Sequence, residues 1–453
     1  MNHTRPSGPV QVEVLVVGAG PAGLSAAAEL RRLGAGPVLV ADREPEPGGI
    51  PRHSWHTGYG LRDRHRLLTG PAYARALADA ALAAGAEIRP GTTVTALAPA
   101  GSGIGHEVRG PLPPSIGGGG PQTPDRGGHT ATMTSARGIE TVHAAAVLLV
   151  TGCRERPRPA RLVPGDRPTG VMTTAELQQR VYLGGERLAG RAVVVGAEHV
   201  SFSAAMTLAH SGARVVALVT EHERQQSYAA FRLGAALRWR IPVWAGCAIR
   251  RVVGRGQLAG VEVADVRTGS ARFIPCQTVV FTGDWIPDHE LARTAGLDMD
   301  PGTRGPAVDT MLQTSAAGVF AAGNLVHAAE TADIAAVSGR HAARQIAAAL
   351  DARARGRGPE PTRLPVRAEP PLRWISPNAI AARAGPPAPP LGRFVLRSWE
   401  FRRLARLQVI QDGRVLFRSR PVRLIPARPV HLGASWLSRA DLAGGPVHVQ
   451  LRG

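Results

Sequence analysis

The stretch VEVLVVGAGPAGLSAAAELRRLGAGPVLVADRE, residues 12–44, leaves few folds open. Val12–Val17 is aliphatic apart from Glu13 and unbroken from Val14 to Val17, the pattern of a strand whose end is buried on both faces of a parallel sheet. Gly18-x-Gly20-x-x-Gly23 follows at once and opens a helix of small residues. Gly18 permits a tight turn, Gly20 lets main chain approach a pyrophosphate, and Gly23 lets helix and strand pack closely. The helix start, where Pro21 leads into Ala22, turns the free N–H groups that follow the proline toward phosphate. A second strand, 37–41, ends at Asp42, 24 positions after Gly18, where an acid binds a ribose hydroxyl; Arg43 follows it. These features in register predict a nucleotide-binding βαβ unit at the head of an α/β chain.

A second such unit begins at RAVVVGAEHVSFSAAM, residues 191–206. Strand, first glycine (Gly196) and helix of small residues are present, but Glu198 and Ser201 stand in place of the second and third glycines. An ionised Glu198 side chain would meet the pyrophosphate there; two like charges about 4 Å apart repel by roughly 1 kcal/mol in water and more at lower dielectric. Thr220 and Glu221, at the end of the next strand, suit a ribose hydroxyl rather than a 2′-phosphate. NADPH is therefore disfavoured here. NADH is accommodated only if the loop rearranges, so the unit is expected to be vestigial as a cofactor site.

The rest of the composition narrows the class. At 453 residues the chain has room for two or three domains. Its formal charge is +20 and all its Lys-or-Arg positions are Arg, with 19 Arg against 6 Asp and Glu from Asp351 onward. That excess suits a solvated surface or a docking face for an acidic partner. Aromatics are only 4% and no nucleic-acid motif is present, so no nucleic-acid partner is expected. Cys153, Cys247 and Cys276 form no CxxC pair and are too few for a cysteine-held iron–sulfur cluster; no metal site is expected. The first apolar run is short and enters a glycine turn, so neither leader nor membrane span is expected, and the cytoplasm is the expected compartment.

Along the chain, composition shifts divide 1–158, a first nucleotide-binding part with a Gly/Pro/Ser/Thr-rich insertion at 100–137, from 159–285, the second unit. Residues 286–352 return to the first domain. A Pro/Arg-rich linker, 353–371, leads to a small β-rich domain, 372–453, whose Asp412-Gly413 reads as a hairpin turn between alternating runs. The fold class is α/β, with two Rossmann-like domains, the second inserted in the first.

Three further stretches carry a family resemblance. VLLVTGCRERP (147–157), GVFAAGNLVH (318–327) and ETADIAAVSGRHAARQIA (330–347) resemble motifs of the two-dinucleotide flavoproteins related to thioredoxin and glutathione reductases. The resemblance spans about residues 12–350 and implies FAD at the first unit. It places Thr151 and Gly152 near the cofactor, Gly323 and Asn324 at the ribityl chain (Asn324 where the family has Asp), and the helix start at Thr331 and Ala332 at the flavin pyrimidine edge. Val94 is expected near the adenine. GGIPRHSWHTGYGLRD (48–63) would run under the flavin, with Gly48, Gly49, Ile50, Pro51 and His53 against it. Together with TGCRERPRP (151–159) and TADIAAVSGRHAAR (331–344), that segment is most similar to one branch of FAD-binding proteins. The branch comprises those related to opine oxidase, hydrogen cyanide synthase, anaerobic glycerol-3-phosphate dehydrogenase and the α subunit of sarcosine oxidase.

That branch implies oxidation of a C–N or C–O bond at FAD, with electrons passed to a partner subunit. The expected substrate is a small amine, amino acid or hydroxy acid. Two alternatives stand beside it: an NADH-dependent flavoprotein reductase, and a non-catalytic flavoprotein scaffold subunit. His53 and His327 are the candidate proton acceptors, since imidazole titrates near neutrality; His56 and Glu330 are weaker candidates. Each serves equally well as a hydrogen-bonding residue of the loop or cofactor. Arg52 and Arg154 suit a substrate carboxylate or a structural ion pair. Cys153 suits packing, and Trp285 and His289 lie on the return crossing between domains.

Overall fold

The computed structural model describes residues 8–100, 128–228, 241–328, 330–356, 362–383 and 385–452. Strand Val10–Val17, buried at its end as its composition demands, lies parallel between Val38–Ala41 and Gly138–Leu149. Glu87–Arg89 extends one side. Val319–Ala321, arriving from far down the chain, pairs parallel with the end of Gly138–Leu149, while His129–Ser135 and Thr93–Ala98 continue antiparallel from its beginning. Helix Pro21–Arg32 packs on this sheet and against the long helix Ala332–Ala354. That contact is main chain to side-chain-free main chain: a Cβ built at Gly339 would sit 2.0 Å from the Ala22 carbonyl oxygen. The first domain is thus closed by its first and last pieces.

Between them, Val171–Thr173, Thr278–Phe281, Arg191–Val195, Arg214–Thr220 and Val243–Ala245 form, in that order, a second all-parallel sheet. A three-stranded antiparallel sheet, Cys247–Val253, Gly260–Asp265 and Ala271–Pro275, flanks it. The chain leaves the first domain along Cys153–Glu155 and returns along Trp285–Pro287, and these two strands pair antiparallel. Outward and return crossings are therefore one hydrogen-bonded ribbon.

The C-terminal module is β-rich and closes over its own apolar core, centred on Trp436, which is fully buried and stacks on Phe394 at 5.2 Å. Asp412 and Gly413 adopt φ of 47° and 76° and join Leu407–Gln411 to Arg414–Arg418 as a hairpin; two consecutive positive φ values are what such a two-residue turn requires. Strand Thr362–Ala368 pairs with Ala379–Ala382 and with Val447–Leu451, so part of the stretch read as a linker is a strand of this module. Of the insertion expected at 100–137, residues 101–127 lie outside the described residues, while His129–Ser135 is a sheet strand. Composition did not reveal that strand, because strand pairing is decided by partners far along the chain.

The Gly339 contact yields an expectation. Gly339→Ala forces the two helices apart and should cost about 1–3 kcal/mol through overpacking, read as a lowered urea midpoint; an unchanged midpoint would refute the close-contact role.

Candidate cofactor and active site

The turn after Val10–Val17 is tight at two of its glycines and open at the third. Gly18 has φ +116°, and any side chain there would strike the Val150 carbonyl oxygen at 2.5 Å; a Cβ at Gly23 would overlap the Gly18 oxygen at 1.9 Å. A Cβ at Gly20, by contrast, meets nothing within 4 Å. The middle glycine faces open space, the two outer ones face protein. Helix Pro21–Arg32 begins there with no capping side chain, so its first N–H groups, Ala22 and Gly23, have no anion supplied by a protein cap. The Asp42 carboxylate accepts from the Ala19 N–H at 2.5 Å and the Glu44 N–H at 2.8 Å, tying the ribose-acid position to the glycine loop.

Other expected residues converge on the same point. The Gly48 N–H donates to the Ala19 carbonyl at 2.8 Å, and a Cβ at Gly49 would lie 3.0 Å from Gly20 Cα. A Cβ at Gly323 would lie 2.9 Å from Ala22 Cβ. Pro51 and His53 are buried beside them, and Ile50 is exposed. Helix Ala332–Ala354 starts at Thr331, whose side chain makes no capping bond to it, while the first-turn Asp333 carboxylate accepts from the Ile334 N–H at 3.0 Å. Thr151 Oγ1 donates to the Asp288 carbonyl at 2.7 Å and the Gly152 carbonyl accepts from Asp288, fixing the return crossing. Val94 is half-buried opposite Met133 at the far edge of the sheet. The uncapped start of Pro21–Arg32, with side-chain-free loops around open space and a second helix start nearby, fits a dinucleotide with a flavin end.

Several expected side chains have protein partners. The Asn324 amide is paired reciprocally with the Glu330 main chain, at 3.0 and 3.1 Å, so it braces the chain ahead of the long helix. Arg43 and Arg154 both hold the Asp288 carboxylate, and Arg154 also holds Glu290 at 2.5 Å. Arg52 is bonded to the Glu46 carbonyl at 2.6 Å and to Glu44 at 3.2 Å. Of the two readings for Arg52 and Arg154, these contacts match ion pairing with protein acids. His56 Nδ1 lies 2.8 Å from the Thr57 carbonyl, His289 Nδ1 is bonded to the Arg304 carbonyl, and Trp285 sits in the crossing ribbon opposite Glu155. Cys153, Cys247 and Cys276 form no disulfide.

The two candidate bases lie apart, in different seams. His53 is buried against the second domain near Gln178; burial, with the adjacent Arg52 charge, lowers its pKa to about 4, and its Nδ1 has no partner among the described residues. His327 lies 5.5 Å from Trp374 of the C-terminal module; burial, then the Arg397 and His431 charges, lower its pKa to about 3. Both are neutral at pH 7 and able to accept a proton, though weakly. Beside His327, Glu330 and Arg397 form a buried ion pair at 3.3 Å that joins the module to the residue just before the long helix. No local pattern singles out Arg397; only the packing of distant strands brings it there.

The second glycine turn is closed. Glu198 is the N-cap of helix His199–Ser211, in a reciprocal capping box: its carboxylate accepts from the Ser201 N–H, and Ser201 Oγ accepts from the Glu198 N–H at 3.2 Å. Ser201 Oγ also donates to Glu198 Oε2 at 2.6 Å and lies 2.7 Å from Thr282 Oγ1. The protein's own carboxylate therefore takes the anion position at the helix N-terminus. Thr220 is buried and Glu221 exposed at the end of the neighbouring strand. Close by is Glu155, from the crossing ribbon, with only 4% of its surface exposed and Oε2 accepting from the Ala175 N–H at 3.0 Å. Burial, with the Glu198 charge adding to it, pushes the Glu155 pKa up to about 7, while the Ala175 N–H and the Arg161 guanidinium pull the other way. Sequence reading had no signal for Glu155, whose environment comes from the two domains' meeting.

The comparisons with known proteins agree with this architecture. Residues 12–339 match the family model for pyridine nucleotide-disulphide oxidoreductases. The chain belongs to that family. It is 28% identical to an opine oxidase subunit of Agrobacterium tumefaciens (strain Ach5) over 73% of this chain and 64% of that protein. The chain thus matches less than two thirds of that relative's length. It is 31% identical to ferredoxin–NADP reductase of Salinispora tropica over 70% of this chain and 86% of the reductase. In fold it is similar to T. acidophilum thioredoxin reductase, with a TM-score of 0.56 at 21% identity, covering 75% of this chain and 98% of that one. That family is one of oxidoreductases that bind FAD. No helix among the described residues is long and apolar enough to cross a membrane.

Two expectations follow from this geometry. Gly20→Ala should leave the unfolding midpoint within about 1 kcal/mol of the parent yet weaken FAD retention, whereas Gly23→Ala should destabilise the fold by about 1–3 kcal/mol; denaturation and flavin content measure the two separately. For Glu155, the folded-state pKa lies above the unfolded value of 4.5. The folded state therefore holds the proton more tightly, and the associated stability is present below pH 4.5 and lost as pH rises through about 7. The stability difference between Glu155→Gln and the parent should grow by roughly 3 kcal/mol from pH 5 to pH 8, measured by urea unfolding; a pH-independent difference would refute it.

Proposed function

We propose that the chain is the FAD-bearing component of a dehydrogenase or oxidase that oxidises a small amine, amino acid or hydroxy acid and delivers electrons to a partner subunit. The observation that carries this reading is the contrast between the two glycine turns. One helix start is uncapped and faces open space; the other is capped by Glu198. Electrons entering from a nicotinamide would need that second turn, so substrate is the favoured source.

When bound, FAD supplies hydride acceptance and electron release. In this reading the N–H groups of Ala22 and Gly23 hold pyrophosphate, Gly20 gives it room, and Asp42 holds a ribose hydroxyl. Gly48, Gly49, Ile50, Pro51, Thr151, Gly152, Gly323, Thr331 and Ala332 line the remainder, with Val94 toward the adenine. Burial keeps His53 and His327 unprotonated at neutral pH, so either serves as the acceptor of a substrate proton. The similarity to a ferredoxin–NADP reductase supports the opposite direction of flow, and one experiment separates the two.

Adding NADH or NADPH anaerobically to the FAD-loaded protein should leave the yellow flavin absorbance unchanged. Glu198→Gly, which frees the helix N-terminus, should tighten NADH binding by about tenfold or more. Rapid bleaching of the parent protein would overturn the reading.

A further inference from the structure

The C-terminal module carries a charged and apolar surface that neither glycine turn uses. Strands Arg402–Ala405 and Val422–Leu424 pair antiparallel, with Arg402 opposite Leu424 and Ala405 opposite Val422. Arg403 and Leu404 therefore lie across from Arg423. The Ser419 side chain and main chain bond the Leu407 main chain at 2.8 and 2.9 Å, which brings Arg418 and Arg420 beside Arg406. All five of these arginines are exposed, and none has a carboxylate within ion-pair distance among the described residues. Arg402 alone on this ribbon is paired, with Glu400 at 3.0 Å.

Two large apolar side chains stand in this field. Leu404 is 81% exposed and Trp399, on the turn leading into the ribbon, is 60% exposed. The Arg373 guanidinium lies 4.4 Å from the Trp399 ring centroid and holds it in place. Five unpaired like charges repel one another, and an exposed tryptophan and leucine leave apolar surface in water; neither feature stabilises the isolated module. Both costs are relieved by one kind of contact, an acidic surface with an apolar recess. Tryptophan and arginine are also the side chains that dominate binding energy at protein interfaces. A nucleic-acid backbone would neutralise the arginines but offers nothing to Leu404, so a protein partner satisfies more of what is exposed.

We propose that the ribbon formed by Arg403, Leu404, Arg406 and Arg423, with Trp399 at its edge, is the docking face for the acidic surface of a second protein subunit. This identifies a partner-binding surface for the reading above and rests on it for the partner's role, but the binding itself can be tested independently.

The test uses the full-length FAD-loaded chain, co-expressed in turn with each polypeptide encoded beside it on its own genome. Complex formation is measured by size-exclusion chromatography and its affinity by titration at two salt concentrations. The expected result is a complex with an acidic polypeptide that weakens with salt. The triple variant Arg403→Glu/Arg406→Glu/Arg423→Glu should weaken it by at least about tenfold, and Leu404→Ser should weaken it without altering the salt dependence. Lysine substitutions at acidic positions of the partner should restore binding to the triple variant. Unchanged flavin content shows that the variants fold. Equal affinity in parent and triple variant, no complex with any neighbouring polypeptide, or preferential binding of a random duplex DNA at physiological salt would each overturn the proposal. Substrate oxidation with an artificial dye acceptor is measured in parallel: a complex that depends on these arginines but lacks dye-linked turnover would uphold the docking face and refute the dehydrogenase reading.

Discussion

An α-helix starts with N–H groups that its own backbone cannot satisfy, and this protein answers that constraint in two opposite ways. At Pro21–Arg32 no side chain caps the start, and Gly20 leaves open space before it. At His199–Ser211 the Glu198 carboxylate folds back onto the same groups and Ser201 closes the box. Both turns follow a parallel strand at the same kind of sheet position. What differs is whether the anion comes from a ligand or from the chain itself, and the direction of electron flow proposed here follows from that difference.

The surroundings of the capped turn suit a closed crevice. Thr282 reaches Ser201, the Arg161 guanidinium donates to the Thr282 and Gly283 carbonyls at 3.0 and 2.8 Å, and buried Glu155 comes in from the crossing ribbon. At this turn Glu198, Ser201 and Thr282 are hydrogen-bonded to one another. Such a network couples the two domains through the ribbon Cys153–Glu155 and Trp285–Pro287. The C-terminal module adds a second seam, where Arg397 pairs with Glu330 immediately ahead of the long helix. A buried pair of this kind is weak evidence for stability, since burial itself opposes both charges, but losing either partner strands the other.

Reading the sequence located the first unit well because every requirement there is local. Turn, close approach and helix start fall within six residues, and only glycine fits at Gly18 and Gly23. The substitutions at Glu198 and Ser201 were equally visible, but the sequence suggested repulsion of a pyrophosphate, whereas the fold shows the carboxylate occupying the anion's place. The pairing of the Asn324 amide with the Glu330 main chain, six residues on, was not foreseen either, because it depends on how the loop folds back. Glu155 and Arg397 carried no signal at all, because each acquires its burial from elements remote in the chain.

The sequence by itself determined the α/β class, the order of the units, the hairpin at Asp412-Gly413 and the glycine cradle, all set by steric rules acting over a few neighbouring residues. Only the tertiary structure decided which helix start stays open, which arginines are already paired, and which carboxylate is held near neutrality. Those outcomes depend on desolvation and on partners drawn from separate domains, and neither is encoded in any short stretch of the chain.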